Sequence, residues 1–462
     1  MSLSRVFVAN RGEIALRIIR ACRALGIETV AAVSEADRNS LVARAADRSI
    51  CVGPARATDS YLKVEAIISA ALGAGADALH PGYGFLAERP ELAEACAKNS
   101  IKFIGPQADS IRRMGNKIRA RTLVKEYGIP IVEGSEKVHN LKEATAQAEL
   151  IGFPVLIKAA AGGGGRGMKI VARDGELQGA FEMASAEARA AFGDPTLYLE
   201  RYIANARHIE VQILGDRHGN VIHVGERDCS LQRRHQKVIE EAPAAAISPK
   251  LREEIQNAAV TIAKKIRYEN AGTMEFILDQ DAGRFYFLEM NTRIQVEHPV
   301  TEAISGMDLV QEQLRIAGGE PLSHSQSEVK LSGHAIECRI TAESAAHGFR
   351  PCPGLITAWQ PPEGDDIRVD SHCHTGYRVP PFYDSLLGKL IVRGKNRVET
   401  VGKMQEALED FLVTGIETTI PFLRFITQRL EYVKGEVNTR WLESALAASP
   451  FRSVEVAAFA AI

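Results

Sequence analysis

The feature that most restricts the fold of this chain lies near its amino terminus, where a strand, a helix and a second strand follow one another. Residues 5–9 (RVFVA) have the composition of a buried strand, residues 13–25 repeat apolar side chains with helical spacing, and residues 27–33 again favour a strand. Two strands joined by a crossover helix lie parallel. The sequence therefore predicts a parallel sheet, which continues with a helix over residues 60–72 and a short strand over residues 76–79.

The loop HPGYGF at residues 80–85 follows this short strand directly. Ligands of open parallel sheets bind beyond the carboxyl ends of the strands, so the loop is a candidate edge of an active site. A turn rich in proline and glycine before a helix would explain the same letters without any function. The loop by itself leaves both interpretations open.

Composition and charge narrow the class of protein. The chain has 462 residues, with 56 basic and 58 acidic side chains and a formal net charge of −2. This length suggests about two to four domains, and the near-zero charge argues against nucleic acid or an anionic membrane as the main partner. Seven cysteines that are never spaced C-x-x-C disfavour a disulfide framework or a zinc ribbon. We expect a cytoplasmic protein, because there is no export signal and no apolar run of about 18 to 20 residues.

The rest of the chain mixes helices and strands beyond a boundary predicted near Gly115. Helices are predicted over residues 117–127, 177–192, 249–266, 398–411 and 420–427. Strands are predicted over residues 129–132, 153–158, 168–171, 197–200, 208–214, 221–226, 334–340 and 387–392.

A glycine-rich run, GGGGRGMK, occupies residues 162–169. It contains the letters G-x-G-x-x-G, but strand-forming residues follow it instead of the helix that a dinucleotide site needs. It also departs from the P-loop pattern, because Met168 stands where that pattern has lysine. The run predicts a loop between two strands that closes over phosphates, with Lys158 as a nearby positive charge; a structural hairpin is the alternative.

A β-hairpin is predicted over residues 274–290, with its turn at residues 279–283. This turn sets Glu275 opposite Glu289, with Cβ atoms roughly 5 Å apart. Two carboxylates so placed repel each other, and a divalent cation with hard oxygen ligands, Mg²⁺ or Mn²⁺, would relieve the repulsion. A solvated pair of glutamates is the alternative, which the neighbouring aromatic and aliphatic residues disfavour.

The stretch EMNTRIQVEH at residues 289–298 alternates polar with mostly apolar side chains. In an extended chain this pattern gives one polar face with carboxylates, amides and a guanidinium, so that Arg293 and Glu297 lie two steps apart on that face. A solvated edge strand with alternating charges is the plain alternative. A carboxylate beside a guanidinium is suited to accept a proton from a small anion and to hold its oxygens.

Two further clusters have simpler interpretations. The run LQRRHQK at residues 231–237 is a local basic cluster, which is either a solvated loop or a source of cations beside a nucleotide and a small anion. The triplet at residues 372–374 (HCH) is disfavoured as a metal site, because no further ligands stand at a usable spacing. His208, taken alone, is more typical of a structural histidine.

Together these motifs resemble those of biotin carboxylases, members of the ATP-grasp superfamily. The likeness extends to about residue 446 and is carried by Lys117, Lys158, GGGGRGM at 162–168, RHIEVQ at 207–212, ERDCSLQRRHQKVIEEAP at 226–243, GTMEF at 272–276, FLEMNTRIQVEHPVTE at 287–302, VANRGEIALRIIRAC at 8–22, HPGYGFLAE at 80–88, GHAIECRI at 333–340 and PPFYDSLLGKLIV at 380–392. Single motifs occur in related ligases such as carbamoyl phosphate synthetase, but the combination is specific.

The resemblance implies a fold of α/β and α+β class. Its parts are a Rossmann-like domain at residues 1–114, an ATP-grasp domain at 115–325 with a mobile glycine-rich lid at about 131–203, a mixed α+β domain at 326–447, and a tail at 448–462. It also implies a two-step reaction. ATP phosphorylates bicarbonate to carboxyphosphate, which releases carbon dioxide, and the deprotonated ureido nitrogen of biotin captures it.

Residue roles also follow from the resemblance. ATP is assigned to Lys117, Lys158, Gly164, Gly165, Glu200, Arg201, Tyr202, Ile203, His208, Gln232, His235, Glu275 and Glu289; two Mg²⁺ or Mn²⁺ ions to Glu275, Glu289 and Asn291; bicarbonate to Lys237, Arg293, Gln295, Val296 and Glu297; and biotin to Arg339 and Tyr83. Lys237, Arg293, Glu297 and Arg339 are the implied catalytic residues, with Glu297 as the general base.

The implied partners are a biotin carboxyl carrier protein and carboxyltransferase subunits, because the chain contains no lysine flanked by methionines that could carry biotin. A stand-alone, homodimeric component of acetyl-CoA carboxylase in fatty acid synthesis is expected; pyruvate, propionyl-CoA or 2-oxoglutarate carboxylase, another ATP-grasp ligase and a non-catalytic nucleotide-binding subunit are alternatives. Arg201, Arg440 and Cys352 depart from the lysine, histidine and serine usual at their positions, which puts fine nucleotide contacts in doubt.

Overall fold

The structure, a computed structural model, describes residues 3–160 and 168–451. Its amino-terminal part contains a five-stranded parallel sheet in the order β3-β2-β1-β4-β5. The strands are β1 (Arg5–Val8), β2 (Glu28–Ser34), β3 (Arg48–Gly53), β4 (Ala78–His80) and β5 (Lys102–Phe103), and the helices are α1 (Gly12–Ala24), α2 (Leu41–Ala45), α3 (Val64–Gly73), α4 (Pro90–Lys98) and α5 (Ala108–Gly115). The predicted parallel sheet is confirmed. The third helix begins at Val64 and not at Ser60, because a short 3₁₀ turn over Ala57–Asp59 precedes it.

A smaller antiparallel sheet follows, in the order β7-β6-β8. The elements of this part are α6 (Lys117–Glu126), α7 (Leu141–Ile151), β6 (Val155–Ala159), β7 (Lys169–Val171), α8 (Leu177–Phe192) and β8 (Leu197–Arg201). The strand predicted over residues 129–132 is wrong, since only one bridge, from Ile131 to Phe287, forms there. The glycine-rich run lies almost wholly outside the described residues.

An eight-stranded sheet connects the middle of the chain to its carboxyl-terminal third, in the order β13-β12-β9-β10-β11-β14-β21-β19. Its strands are β9 (Ala206–Gly215), β10 (Val221–Arg233), β11 (Gln236–Ala242), β12 (Asn270–Asp279), β13 (Arg284–Asn291), β14 (His334–Thr341), β19 (Ile367–Ser371) and β21 (Leu386–Gly394). The helices α9 (Pro249–Lys265), α10 (His298–Ser305) and α11 (Leu309–Gly318) lie between these strands in sequence. The pairing of β11 with β14 makes the sheet continuous across the expected boundary near residue 325.

The remaining elements belong to the carboxyl-terminal third of the chain. They are β15 (Glu343–Ser344), β16 (Arg350–Pro351), β17 (Gly354–Leu355), β18 (Ala358–Gln360), β20 (Arg378–Val379), β22 (Leu412–Thr414), α12 (Arg397–Asp410), α13 (Ile420–Thr427), α14 (Leu430–Val433) and α15 (Trp441–Ala447). Helices α12 and α13 contribute Met404 and Phe422 to the apolar core on one face of the large sheet. Among the described residues, no helix is both long and apolar enough to cross a bilayer.

Helix α1 joins the amino-terminal sheet to the large one. Its apolar side chains, such as Ile18, share a core with Leu309 and Leu314 of α11. On its polar side the Arg17 guanidinium lies 2.9 Å from the carboxylate of Glu302 in α10. The helix therefore places a basic side chain against α10.

The stretch at residues 289–298 is not extended along its whole length. Strand β13 ends at Asn291, residues 292–297 form a loop and a turn, and α10 begins at His298 with Pro299 in its first turn. The expectation of one continuous polar face is wrong beyond Asn291. Polar side chains that the alternation placed in a row are instead distributed around this turn.

Candidate functional site

The site is built around a row of charged residues that crosses four strands. The antiparallel register sets Glu289 on β13 opposite Glu275 on β12, Glu275 opposite Glu210 on β9, and Glu210 opposite Arg227 on β10. Residues directly opposite each other in a sheet project from the same face. The register predicted for Glu275 and Glu289 is confirmed, and Glu210 extends the pair to three carboxylates.

Lys237 neutralises the buried part of this row. Its ammonium lies 2.6 Å from Glu210, 3.0 Å from Glu275 and 2.7 Å from Glu297. Burial alone would lower the pKa of Lys237, but these three carboxylates raise it well above its usual value. Arg227, which is fully buried, pairs with the other oxygen of Glu210. Burial would raise the pKa values of Glu275 and Glu297, but Lys237 is the main group that lowers both, so these two carboxylates stay ionised.

Glu297 occupies the turn before α10 and has no exposed surface. One oxygen accepts the bond from Lys237, and the other lies 2.9 Å from Nη2 of Arg339. Arg339 also donates to Glu240 from Nε, at 2.6 Å. Burial would raise the pKa of Glu297, but Lys237, Arg339 and Arg227 hold it well below its usual range. The group is therefore a carboxylate at any physiological pH.

Arg293 lies beside the row but does not bond to Glu297. Its guanidinium donates to Gln295 Oε1 at 2.8 Å and to Asn291 Oδ1 at 3.2 Å, and its Nε lies 2.9 Å from Glu88. The expected pairing of Arg293 with Glu297 along one strand face is wrong, because the strand ends at Asn291, before both residues. Asn291 and Gln295 also donate to Glu275, at 2.7 and 3.1 Å.

The residues expected to contact ATP lie around the small sheet and the start of the row. Lys117 is 2.7 Å from Glu289, and Lys158 is 2.5 Å from Glu200. Arg121 donates to the other oxygen of Glu200, so that this buried carboxylate has two cationic partners. Burial would raise the pKa of Glu200, but Lys158 and Arg121 lower it.

Other expected ATP contacts are placed near these. His208 Nε2 lies 3.1 Å from Glu275, and its Nδ1 lies 3.0 Å from the amide of Gln232. His235 is exposed at the turn between β10 and β11, where its φ is 64°. Tyr202 follows β8, and the expectations for Gly164 and Gly165 lie outside the described residues.

The two arginines that depart from the family pattern have aromatic partners near this region. Arg201 ends β8 and donates to the hydroxyl of Tyr286 at 3.0 Å. The guanidinium of Arg440 lies 6.0 Å from the ring centre of Tyr202. Ile203 completes the short segment after β8 and is partly buried.

Two further side chains hold residues that are assigned to bicarbonate and to biotin. The Val296 carbonyl accepts a 2.9 Å hydrogen bond from Lys389, and the Tyr83 hydroxyl donates to Glu13. Sequence reasoning did not single out Lys389, Glu13 or Glu88. It also missed the roles of Glu210, Arg227 and Glu240, although the alternation of residues 207–212 places Glu210 on the same strand face as His208.

The donor set fits a divalent cation. Glu275, Glu289 and Asn291 offer carboxylate and amide oxygens on adjacent strands, the hard ligands that Mg²⁺ prefers. Lys117 pairs with Glu289 and Lys237 pairs with Glu275. A divalent cation bound here would also neutralise these two carboxylates. Two further groups of possible metal ligands, His208–Glu210–Glu275 and Glu210–Cys229–Glu297, both include carboxylates that already bind Lys237.

Three family models match the chain. They are the biotin carboxylase N-terminal domain over residues 2–111, the ATP-binding domain of the carbamoyl-phosphate synthase L chain over residues 116–325, and the biotin carboxylase C-terminal domain over residues 337–444. Biotin carboxylase 1 of Bacillus subtilis is 50% identical over 96% of this chain and 98% of its own length.

Solved structures agree with these matches. A complex of biotin carboxylase from Campylobacter jejuni with a β-γ-ATP ligand has a TM-score of 0.93 and 47% identity, over 96% of this chain and 99% of that one. The biotin carboxylase domain dimer of 2-oxoglutarate carboxylase from Hydrogenobacter thermophilus, bound to MgADP, ADP and bicarbonate, has the same TM-score and identity over 98% and 99%. The expected ATP-grasp fold with a parallel amino-terminal sheet is confirmed.

Proposed function

The chain belongs to the biotin carboxylase family, and from that premise we propose that it carboxylates biotin on a carrier protein with ATP and bicarbonate. In the first step an oxygen of bicarbonate attacks the γ-phosphorus of ATP, which yields carboxyphosphate and ADP. Carboxyphosphate then breaks into carbon dioxide and phosphate. The phosphate released in this step takes the proton of the biotin ureido N–H, and the deprotonated nitrogen forms a carbon–nitrogen bond to the carbon dioxide.

Activation of bicarbonate is the task of the cluster around Glu297. Bicarbonate is a weak nucleophile, so a base that accepts its proton during attack lowers the barrier. Glu297 is ionised and faces Lys237, and Arg293 lies in the same pocket with Gln295. The cations would hold the oxygens of bicarbonate while Glu297 takes the proton. Val296 lines this pocket beside them.

Arg339 is suited to the second step. Its guanidinium is fixed between Glu240 and Glu297 and can donate to a third group. When the ureido nitrogen of biotin loses its proton, negative charge develops on the ureido oxygen, and a fixed donor of this kind contributes on the order of 3 kcal/mol to its stabilisation. We assign Tyr83 to the same side of the pocket.

ATP would bind between the small sheet and the row of carboxylates. Lys117 and Lys158 supply positive charge for its phosphates. Gly164 and Gly165, which lie outside the described residues, are assigned to the same phosphates, and the lid is assigned to about residues 131–203. Glu275, Glu289 and Asn291 would hold Mg²⁺ or Mn²⁺, which when bound neutralises phosphate charge. Adenosine is assigned to Glu200, Arg201, Tyr202, Ile203, His208, Gln232 and His235.

The observation that carries the proposal is the position of Lys237. Its ammonium contacts both Glu275, in the row assigned to metal and phosphate, and Glu297, assigned to bicarbonate. ATP, the phosphate donor, would lie on the Glu275 side of Lys237, and bicarbonate, which accepts the phosphate, would lie on the Glu297 side. The two substrates would therefore be neighbours. A subunit that only binds a nucleotide would need no base beside that phosphate site.

The test measures ADP release with and without bicarbonate, and with and without free biotin. We expect ATP cleavage to require bicarbonate and to rise with biotin, and labelled bicarbonate to appear on biotin. An ATPase rate that is unchanged when bicarbonate is removed contradicts the proposal. Label on a different carboxylate product would instead identify another ATP-grasp ligase.

The final acceptor is proposed to be acetyl-CoA, which would place the reaction in fatty acid synthesis. Sequence identity alone does not select it, because a biotin carboxylase at 50% and a 2-oxoglutarate carboxylase domain at 47% are almost equally similar. Isolation of the complex and identification of the carboxyltransferase subunits decide between acetyl-CoA, pyruvate, propionyl-CoA and 2-oxoglutarate.

We further propose a homodimer that works with carrier and transferase subunits in the cytosol. The dimer of the Hydrogenobacter thermophilus domain and the seven free cysteines of this chain support these assignments. Light scattering of the purified protein gives its oligomeric state, and fractionation of the source cell gives its location. Limited proteolysis would test the expected domain limits near residues 114, 325 and 447.

A further inference from the structure

A completely buried lysine lies behind the catalytic turn. Lys389 on β21 has no exposed surface, yet a lysine rarely loses all contact with water unless its charge is compensated. Its ammonium lies 3.2 Å from Glu13 of α1 and 3.8 Å from Asp370 of β19, and both carboxylates are buried. Neither the motifs nor the proposed mechanism gives this side chain a role.

The sheet directs Lys389 toward the turn that carries Glu297. Lys389 is paired in register with Arg339 on β14 and with Asp370 on β19, so the three side chains project from one face. Ile391, two residues further along β21, packs on Val300 of α10 from that same face. The opposite face of β21 packs in the core with α12 and α13.

The third contact of Lys389 is the one that bears on the reaction. Its ammonium donates to the carbonyl of Val296 at 2.9 Å. Val296 precedes Glu297 directly, and both lie in the turn that leads into α10. The charged groups that face Lys389 are Glu13, Asp370, Glu337 and Arg368. Burial, and to a smaller extent Arg368, would lower the pKa of Lys389. The three carboxyl groups outweigh both effects and raise this pKa above its usual value.

We propose that Lys389 is a positioning residue, whose ammonium holds the Val296 carbonyl and so orients the Glu297 carboxylate toward Lys237 and Arg339. Asp370 supplies the compensating negative charge, since Arg368 and Lys389 lower its pKa to about 2 despite burial. Glu13, whose pKa burial raises to about 7, contacts Lys389 and also accepts from the hydroxyl of Tyr83. Two side chains from distant parts of the sequence thus connect the bicarbonate side of the pocket to its biotin side. This inference rests on the proposed function.

The first variant is Lys389→Met, which keeps most of the side-chain volume and removes the ammonium. We expect the kcat/KM for bicarbonate to fall about 10- to 100-fold, because misplacement of a reacting group by about 1 Å has an effect of this size. The KM for ATP should stay within about twofold of the wild-type value, since Lys117 and Lys158 are untouched. Arg397→Met is the matched control, because Arg397 pairs with buried Glu241 away from the turn.

A double variant separates positioning from a general loss of structure. If Lys389 acts through Glu297, then Lys389→Met should cause no further loss in a Glu297→Gln background. Independent, multiplicative losses in the double variant overturn the inference. The inference is also overturned if the KM for ATP rises by the same factor as the kcat/KM for bicarbonate falls. It is overturned as well if Arg397→Met lowers the kcat/KM for bicarbonate as much as Lys389→Met does.

Lys389→Arg decides the matter if the methionine variant does not fold. Arginine keeps the charge beside Glu13 and Asp370, but its planar group cannot reproduce the single ammonium contact with Val296. A loss confined to bicarbonate supports the inference, and wild-type kinetics or an equal loss for both substrates overturns it. The wild type is assayed first, because a wild type without bicarbonate-dependent ATP cleavage refutes the proposed function and not the role of Lys389.

Discussion

The ammonium of Lys237 lies 2.7 Å from the carboxylate of Glu297, and the two groups reach this position from different parts of the fold. Lys237 projects from β11 of the large sheet, whereas Glu297 sits in the turn before α10. Because Arg339 contacts the other carboxylate oxygen, Glu297 is held as an anion between two cations. Such a group can accept a proton from a substrate that replaces one of its ionic contacts.

Glu297→Gln is therefore expected to remove most of the activity and to leave ATP binding intact. Loss of a general base lowers rates by about 10²- to 10⁴-fold. Steady-state ADP release measures the rate, and titration calorimetry measures the affinity for ATP. Glu241→Gln is the control, because Glu241 is also buried and paired but lies with Arg397. A large loss of ATP affinity in Glu297→Gln would contradict the role.

The register of Glu275 and Glu289 leads to a prediction about metal dependence. Glu289→Gln removes one of two facing carboxylates, so we expect the concentration of free Mg²⁺ that gives half-maximal rate to rise by about tenfold or more. The measurement is the rate of ATP cleavage as a function of free Mg²⁺. Glu253→Gln, at an exposed position of α9, is the control. An unchanged Mg²⁺ dependence would remove Glu289 from the metal site.

Local patterns in the sequence predict most of the secondary structure and one essential contact of the site. The hairpin predicted from residues 274–290 sets Glu275 opposite Glu289, and this pairing forms. The turn itself pairs Asp279 with Arg284, and a register shift between Glu275 and Phe276 then brings Glu289 opposite Glu275. The strand–helix–strand pattern at the amino terminus likewise predicts a parallel sheet. Both inferences depend on residues that are close in sequence.

Contacts between distant segments are beyond such reasoning. Arg339 reaches Glu297 only because β14 pairs with β11, and no periodicity specifies which strands become neighbours. The end of the strand at Asn291 escapes prediction for another reason: alternating letters fit a strand and a turn equally well. Pro299 is an available signal, since proline is favoured in the first turn of a helix.

The ion pair between Arg293 and Glu88 gives a prediction about bicarbonate affinity. Glu88 also accepts from the backbone N–H of Thr292, so it braces the segment that carries Arg293. The side chain of Glu88 is partly exposed, and such a pair contributes about 1 kcal/mol at most. Glu88→Gln should therefore raise the KM for bicarbonate by no more than about fivefold and leave the KM for ATP unchanged. If the KM for ATP rises together with the KM for bicarbonate, the substitution has disturbed more of the site than the segment that carries Arg293. Glu94→Gln, which removes a surface partner of Arg112, is the control.

His372 provides a prediction about stability at low pH. Its imidazole is buried and packs edge-on against Tyr377, and burial followed by the charge of Arg11 lowers the pKa of His372 to about 3. The unfolded chain binds a proton at this histidine below a pH of about 6.5, whereas the folded chain does not. The neutral His372 therefore makes its full contribution to the free energy of unfolding above a pH of about 6.5, and this contribution is lost as the pH falls toward 3.

Between pH 7.5 and 5 the histidine should account for about 2 kcal/mol of the loss in free energy of unfolding. His372→Phe keeps an aromatic ring against Tyr377 without a titrating group, so its free energy of unfolding should fall about 2 kcal/mol less than that of the wild type over this range. Urea unfolding at the two pH values gives both differences. His218→Gln, at an exposed loop position, controls for the removal of a surface imidazole. Equal pH dependence of His372→Phe and the wild type would mean that the buried imidazole becomes protonated in the folded protein.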